Sequence, residues 1–181
     1  MKLSTLIAIL SATAPAVLSK VTVMDPNFVP PLDDSILDKP SVAKFIDPNV
    51  PTLVFKDVIS HRDDEPDPDR PITLQDGLVF VLQCVLAGFR EPCLVFGAPP
   101  GKCVSYFNFQ PVNDTSVSNT YNNAVSSIST NTGGYCQFYK YRGCDNRGDD
   151  RGVTMSYEYD LAVASDGYSG DYDNIITSWR C

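Results

Sequence analysis

The sequence predicts an all-β protein: two Greek-key motifs forming a sandwich, cross-linked by disulfides and preceded by an irregular Pro/Asp-rich arm. Three observations predict it. From Asp76 onward, short β-rich runs alternate with Gly, Pro, Asn and Asp clusters, and no stretch keeps a 3.6-residue period over three turns. One polar signature, [N/D][N/D]-x-x-[S/T]-S, occurs twice, as Asn122-Asn123-Ala124-Val125-Ser126-Ser127 and as Asp173-Asn174-Ile175-Ile176-Thr177-Ser178. Such repetition marks paired units, neither of which buries a core alone. All six cysteines lie between Cys84 and Cys181, an even number in a chain with a secretory start.

That start comes first in order. Lys2 precedes an apolar run, Leu3 to Leu10, and then small residues, with Ala14-Pro15-Ala16 or Val17-Leu18-Ser19 as the cleavage site. This is the layout of a signal peptide over residues 1–19. The run is far shorter than the roughly 20 residues that span a bilayer. No later segment is long and apolar enough either, so the expectation is a secreted, extracellular protein with no membrane span.

Residues 20–75 read as an extended, mostly irregular arm or pro-region. Asp25-Pro26, Asp47-Pro48 and the run Asp63 to Asp69 punctuate it, and each proline removes a backbone donor and fixes φ. Phe28-Val29, Phe45-Ile46 and Leu53-Val54-Phe55 remain as apolar patches, able to stand as isolated strands or to lie against the following domain. The segment has no dibasic pair, and Pro71 follows Arg70, so removal by a dibasic-specific protease is not supported.

The domain spans 76–181. Leu78 to Leu82 is a run of the fully buried strand type. Cys93–Phe96, Cys103–Tyr106 and Cys136–Tyr139 are short strands, Val153–Tyr159 alternates, and Ile175–Trp179 closes the chain. Two repeats, 76–130 and 131–181, overlay with Cys84 against Cys136, Phe89-Arg90 against Tyr141-Arg142, and Cys93 against Cys144. Phe96, Phe138, Tyr139 and Trp179 sit in strand runs and are expected in the core. Six cysteines (Cys84, Cys93, Cys103, Cys136, Cys144, Cys181) allow 15 pairings, and the sequence does not choose among them.

Composition excludes several functions. A net charge of −8 argues against nucleic acid and anionic membranes as partners. The paired C-x-x-C ligands of a zinc site are absent. His61, the single histidine, lies in the acidic arm with no nucleophile to serve, so no catalytic residues are assigned and the chain reads as non-enzymatic. Arg147-Gly148-Asp149 reads as turn chemistry rather than an adhesion motif, with Asp149 or Asp150 as auxiliary cation ligands. Asn113-Asp114-Thr115 is a glycosylation sequon.

The doubled signature, the link Thr132 to Tyr139 and Tyr141-Arg142-Gly143 together resemble the βγ-crystallin superfamily, in particular its small secreted six-cysteine fungal type. The resemblance covers residues 76–181. It implies that the doubled signature is a calcium site, shared so that one motif supplies side chains and the first hairpin of the other supplies backbone oxygen. The implied ligands are Asn122, Asn123, Ala124 and Ser126, and Asp173, Asn174, Ile175 and Thr177. Calcium takes six to eight oxygens, and amide, carbonyl and hydroxyl oxygens all serve. With Asp173 as the one carboxylate, weak affinity is expected, roughly 10⁻⁵ to 10⁻³ M. Phe89-Arg90-Glu91 departs from the implied pattern, which wants a glycine at the third place.

Two other readings stay open. The polar residues also serve as hairpin scaffolding without metal. The superfamily implied here also includes antagonists, such as killer-toxin-like antifungals and a protease inhibitor. Within that reading, an inhibitor would present the loop Ala98 to Lys102, whereas a protein acting on an extracellular protein or cell-wall partner would bind through the Pro-rich arm.

Overall fold

The computed structural model describes residues 20–56, 77–110, 114–145, 150–163 and 172–181. Residues 1–19, read as a signal peptide, His61, Asn113 and the Arg147-Gly148-Asp149 tripeptide lie outside them.

Ten strands are described: β1 (Lys20–Val23), β2 (Thr52–Lys56), β3 (Val79–Leu86), β4 (Arg90–Ala98), β5 (Val104–Ser105), β6 (Ser127–Thr130), β7 (Cys136–Tyr139), β8 (Val153–Met155), β9 (Tyr157–Glu158) and β10 (Ser178–Arg180). They form a six-stranded sheet in the order β1-β2-β4-β3-β6-β9 and a four-stranded sheet in the order β5-β10-β7-β8. Strands β3–β6 make the first Greek key and β7–β10 the second. In each, the third strand leaves its own sheet: β5 pairs with β10, and β9 pairs with β6. This reciprocal exchange makes the two motifs one βγ-crystallin-like sandwich with pseudo-twofold symmetry.

The core between the sheets follows from alternation along the strands. Val81, Leu94, Phe96, Ile128, Phe138, Val153 and Trp179 point inward and are buried. Phe96 is the hub, with its ring 4.9 to 5.6 Å from those of Phe109, Trp179, Tyr106 and Tyr121 in edge-on contacts. Tyr139, expected in the core with Phe138, is buried as well, on the opposite face of β7.

The apolar patches of the N-terminal segment lie against the domain. Between Met24 and Pro51 the backbone is mostly irregular, with a 3₁₀ turn at Asp34–Ile36 and one helical turn, α1 (Val42–Phe45). Residues 20–56 are nonetheless not an extended arm. Strand β2 runs parallel to β4, and β1 lies antiparallel along β2. Ile36, Phe45, Val50 and Val54 form a second core against Phe80, Leu82, Phe89 and Val95 on the outer face of the six-stranded sheet.

This third layer explains a contrast in the strands. β3 and β4 are apolar at consecutive positions because both of their faces are covered. β8 alternates buried, exposed, buried, as a strand with one wet face does. The run Val153–Tyr159, expected as one alternating strand, is two. It breaks at Ser156, whose carbonyl accepts from Thr130 N at 2.8 Å, and β8 and β9 then join different sheets. Of Ile175–Trp179, only Ser178 and Trp179 are in a strand, because Ile175 ends the turn that carries the signature and Ile176 and Thr177 link that turn to β10.

The disulfides are Cys84–Cys93, Cys103–Cys144 and Cys136–Cys181. The first closes the hairpin β3–β4. The second joins the two motifs. The third ties β7 to the chain's last residue. Such a set belongs to an oxidising environment. No described helix is long and apolar enough to cross a membrane.

Candidate cation site at the doubled motif

Both signatures sit in tight turns that lead into the last strand of their motif. The first follows α2 (Ser116–Tyr121), and the second follows Tyr172. Asn123 and Asn174, at the second position of each, have φ of 58° and 57°, in the left-handed region that asparagine tolerates better than most residues. The turns face one another. Asn123 N donates to Ile176 O at 3.0 Å, and Asn174 N donates to Val125 O at 3.1 Å. The two motifs are therefore joined by a symmetric pair of backbone bonds.

The two hydroxyls of each signature divide the work. The last serine holds its own hairpin. Ser127 Oγ donates to Leu86 O at 2.8 Å and accepts from Phe89 N at 3.2 Å. Ser178 Oγ donates to Tyr141 O at 2.5 Å and accepts from Cys144 N at 3.0 Å. The fifth residue faces the opposite motif. Ser126 Oγ donates to Asp173 Oδ1 at 2.6 Å and lies 3.4 Å from Asn174 Oδ1. Thr177 Oγ1 donates to Asn123 Oδ1 at 3.0 Å. Asn174 Nδ2 in turn donates to Asp173 Oδ2 at 2.7 Å.

Two oxygen clusters result, each built from both motifs. One holds Ser126, Asp173 and Asn174, and the other holds Thr177 and Asn123. Asn122, the positional equivalent of Asp173, has a buried Oδ1 with no hydrogen-bond partner. A buried amide oxygen without a partner is costly and calls for a donor or a cation. Ala124 and Ile175 are half-buried turn residues whose amides close onto Tyr121 O and Tyr172 O. At the signatures themselves, the contacts that cross between motifs come from the Asn/Asp side chains, the fifth-position hydroxyls and the turn backbone. The hairpin carbonyls of Leu86 and Tyr141 are engaged within their own motifs.

These bonds also correct the overlay of the repeats. Leu86 corresponds to Tyr141 and Phe89 to Cys144, since each pair bonds the equivalent serine. Cys84 then corresponds to Tyr139, because their carbonyls accept from Ser126 N and Thr177 N at 3.0 and 2.8 Å. The hairpin glycines are Gly88 and Gly143, with φ of 75° and 82°. The first hairpin therefore has its glycine at the third place, in Leu86-Ala87-Gly88, and the departure read at Phe89-Arg90-Glu91 was an error of register.

Asp150 is not free to act as a ligand. It is buried and accepts from Lys140 N at 2.8 Å, Gly152 N at 3.0 Å and Tyr172 OH at 2.5 Å. It thereby fixes the residue that precedes Asp173. Sequence reasoning missed this role, although Asp-x-Gly is a turn signal that announces the bond to Gly152 N.

Among the described residues, no group of three or more His, Cys, Asp or Glu side chains converges. A cation at this site would be held by neutral oxygens and a single carboxylate. That donor set suits a hard ion such as calcium and does not suit zinc or copper.

No protein-family model matches the chain, and no curated protein does. Solved structures similar to it include the N-terminal domain of protein S, with 19% identity and a TM-score of 0.37 over 56% of this chain and 92% of that one. A beta gamma crystallin from Ciona intestinalis has 19% identity and a TM-score of 0.36, over 56% and 96%. A double mutant of a βγ-crystallin domain from Clostridium beijerinckii has 13% identity and a TM-score of 0.36, over 56% and 93%. The likeness is one of fold, and the strand order above stands independently of it.

Proposed function

We propose that this chain is a secreted, non-enzymatic βγ-crystallin-like protein that binds calcium through its doubled signature. The carrying observation is the cross-motif convergence of oxygens. Ser126 meets Asp173 and Asn174, Thr177 meets Asn123, and Asn122 Oδ1 is left buried without a partner. The ligands would be Asn122, Asn123, Ser126, Asp173, Asn174 and Thr177, with the carbonyls of Ala124 and Ile175. A bound ion supplies positive charge that relieves the packed oxygens and ties one Greek key to the other. Its role is stabilisation and cross-linking of the motifs.

The test is thermal unfolding of residues 20–181 in EDTA, in millimolar calcium and in millimolar magnesium. A ligand confined to the native state stabilises by about 2.7 kcal/mol at a hundred times its Kd. A calcium-specific rise in midpoint is expected, abolished in Ser126→Ala/Thr177→Ala. An unchanged midpoint refutes the calcium reading and leaves the signatures as hairpin scaffolding.

One observation favours a second reading, an antagonist acting through a loop. The stretch Pro99–Lys102 is held rigidly, with Gly101 N donating to Cys181 O at 2.6 Å and Lys102 N to Pro99 O at 3.2 Å, while Pro100 is exposed. Inhibition of a protease panel or of microbial growth, lost on Pro100→Asp, would carry that reading.

A further inference from the structure

The outer face of the six-stranded sheet is a binding surface. We infer that its ligand is the chain's own segment 20–56, held there without covalent help and retained in the working protein rather than shed as a pro-region.

The mode of attachment is strand addition. β2 adds to the edge of β4 in the register Thr52↔Val95, Leu53↔Phe96, Val54↔Gly97, and Val95 N donates to Pro51 O at 3.0 Å. Gly97 is fitted to the arrangement. A Cβ there would lie 2.6 Å from the Phe80 ring and 3.2 Å from Val54 Cγ2, so only glycine lets these two side chains meet over β4.

Polar contacts fix the position of the segment. Asn131, buried, reads both partners at once. Its Oδ1 accepts from Phe80 N at 3.0 Å in the domain, while its Nδ2 donates to Pro31 O at 2.7 Å and its carbonyl accepts from Asp33 N at 2.9 Å in the segment. Ser129 Oγ donates to Ser41 Oγ at 2.8 Å, and both residues are buried. Lys44 Nζ reaches Glu91 at 2.8 Å at the rim. A segment bound only by unspecific apolar contact would not have its backbone read by a buried asparagine.

The segment contains no cysteine, and all three disulfides lie between Cys84 and Cys181. Its hold on the domain is therefore noncovalent apart from the connecting chain. Loss of the segment would expose Phe80, Leu82, Phe89 and Val95 together on one face and leave the β4 edge open, a combination that promotes aggregation.

The experiment places a site-specific protease recognition sequence between residues 57 and 76 of the full secreted chain. The chain is cut, and native gel filtration follows. The two pieces are expected to co-elute one to one and to part only in denaturant. Val54→Asp, which puts a carboxylate into the docked face from the segment side, is expected to make them part natively. Wild-type pieces that elute separately overturn the inference, and so do Val54→Asp pieces that still co-elute. Hydrogen exchange on the uncut chain needs no variant. Amides of β2 and β3 alike should exchange at least about a hundredfold more slowly than in a free peptide, and free-peptide rates in β2 alone overturn it.

Discussion

Asn122 and Asp173 hold equivalent first positions of the two signatures, one an amide and the other a carboxylate. Ligand charge is a principal determinant of calcium affinity. Asp173→Asn is therefore expected to weaken calcium binding on the order of tenfold, or about 1.4 kcal/mol. Asn122→Asp should strengthen it by a similar factor, because Oδ1 at that position is already buried and unpartnered. Titration calorimetry at low salt checks both, and equal affinities in all three proteins would show that the clusters are not where calcium sits. The last serine behaves differently. Ser178→Ala removes a hydroxyl that both donates to Tyr141 O and accepts from Cys144 N. It should cost about 1–3 kcal/mol of stability in EDTA and leave calcium affinity unchanged. The doubled signature was legible in the sequence as a candidate site. The division between its two hydroxyls was not, because a hydroxyl's partner depends on which strand the fold brings opposite it.

At the scale of elements, the two hairpins share a backbone design and differ in surroundings. Gly88 and Gly143 both have positive φ. A Cβ on Gly88 would lie 2.8 Å from Tyr159 Oη, whereas a Cβ on Gly143 meets nothing within 4 Å. Gly143→Ala should therefore cost only the conformational penalty, about 1–2 kcal/mol. Gly88→Ala should cost more, since Tyr159 is also edge-on to Phe89, with 5.9 Å between ring centroids, and has to shift. Urea denaturation of the pair checks the order, and equal losses would mean that Tyr159 yields freely. Strand existence was legible from apolar runs, and the unbroken run Leu78–Leu82 already carried the information that β3 is covered on both faces. The break at Ser156 was not legible, because alternation continues unaltered while the chain passes from one sheet to the other. The register of the hairpins was misread for a related reason. Cysteines attract alignment, yet their spacing answers to disulfide partners, whereas the serine-to-hairpin bonds answer to the fold.

On the scale of the whole molecule, the disulfides and the N-terminal segment are separate solutions to one difficulty, a domain with short strands and a modest core. Cys84–Cys93 spans a separation of 9 residues and joins positions already opposite each other in the β3–β4 hairpin. Cys136–Cys181 spans 45 residues and fixes the end of the chain to the first strand of the second motif. Chain entropy assigns the longer loop roughly 4 kcal/mol and the shorter one roughly 2.6 kcal/mol. The local hairpin should retain contact in the unfolded ensemble and so lower the smaller figure further. Cys136→Ala/Cys181→Ala is thus expected to destabilise more than Cys84→Ala/Cys93→Ala, measured by guanidinium unfolding in EDTA. The competing effect is packing. Cys84 and Cys93 are both buried in the second core, beneath the segment 20–56, and their truncation leaves space there. If the hairpin pair proves the costlier loss, packing in that second core contributes more to stability than the covalent link between distant parts of the chain, and residues 20–56, which cover it, are a main determinant of the fold's persistence.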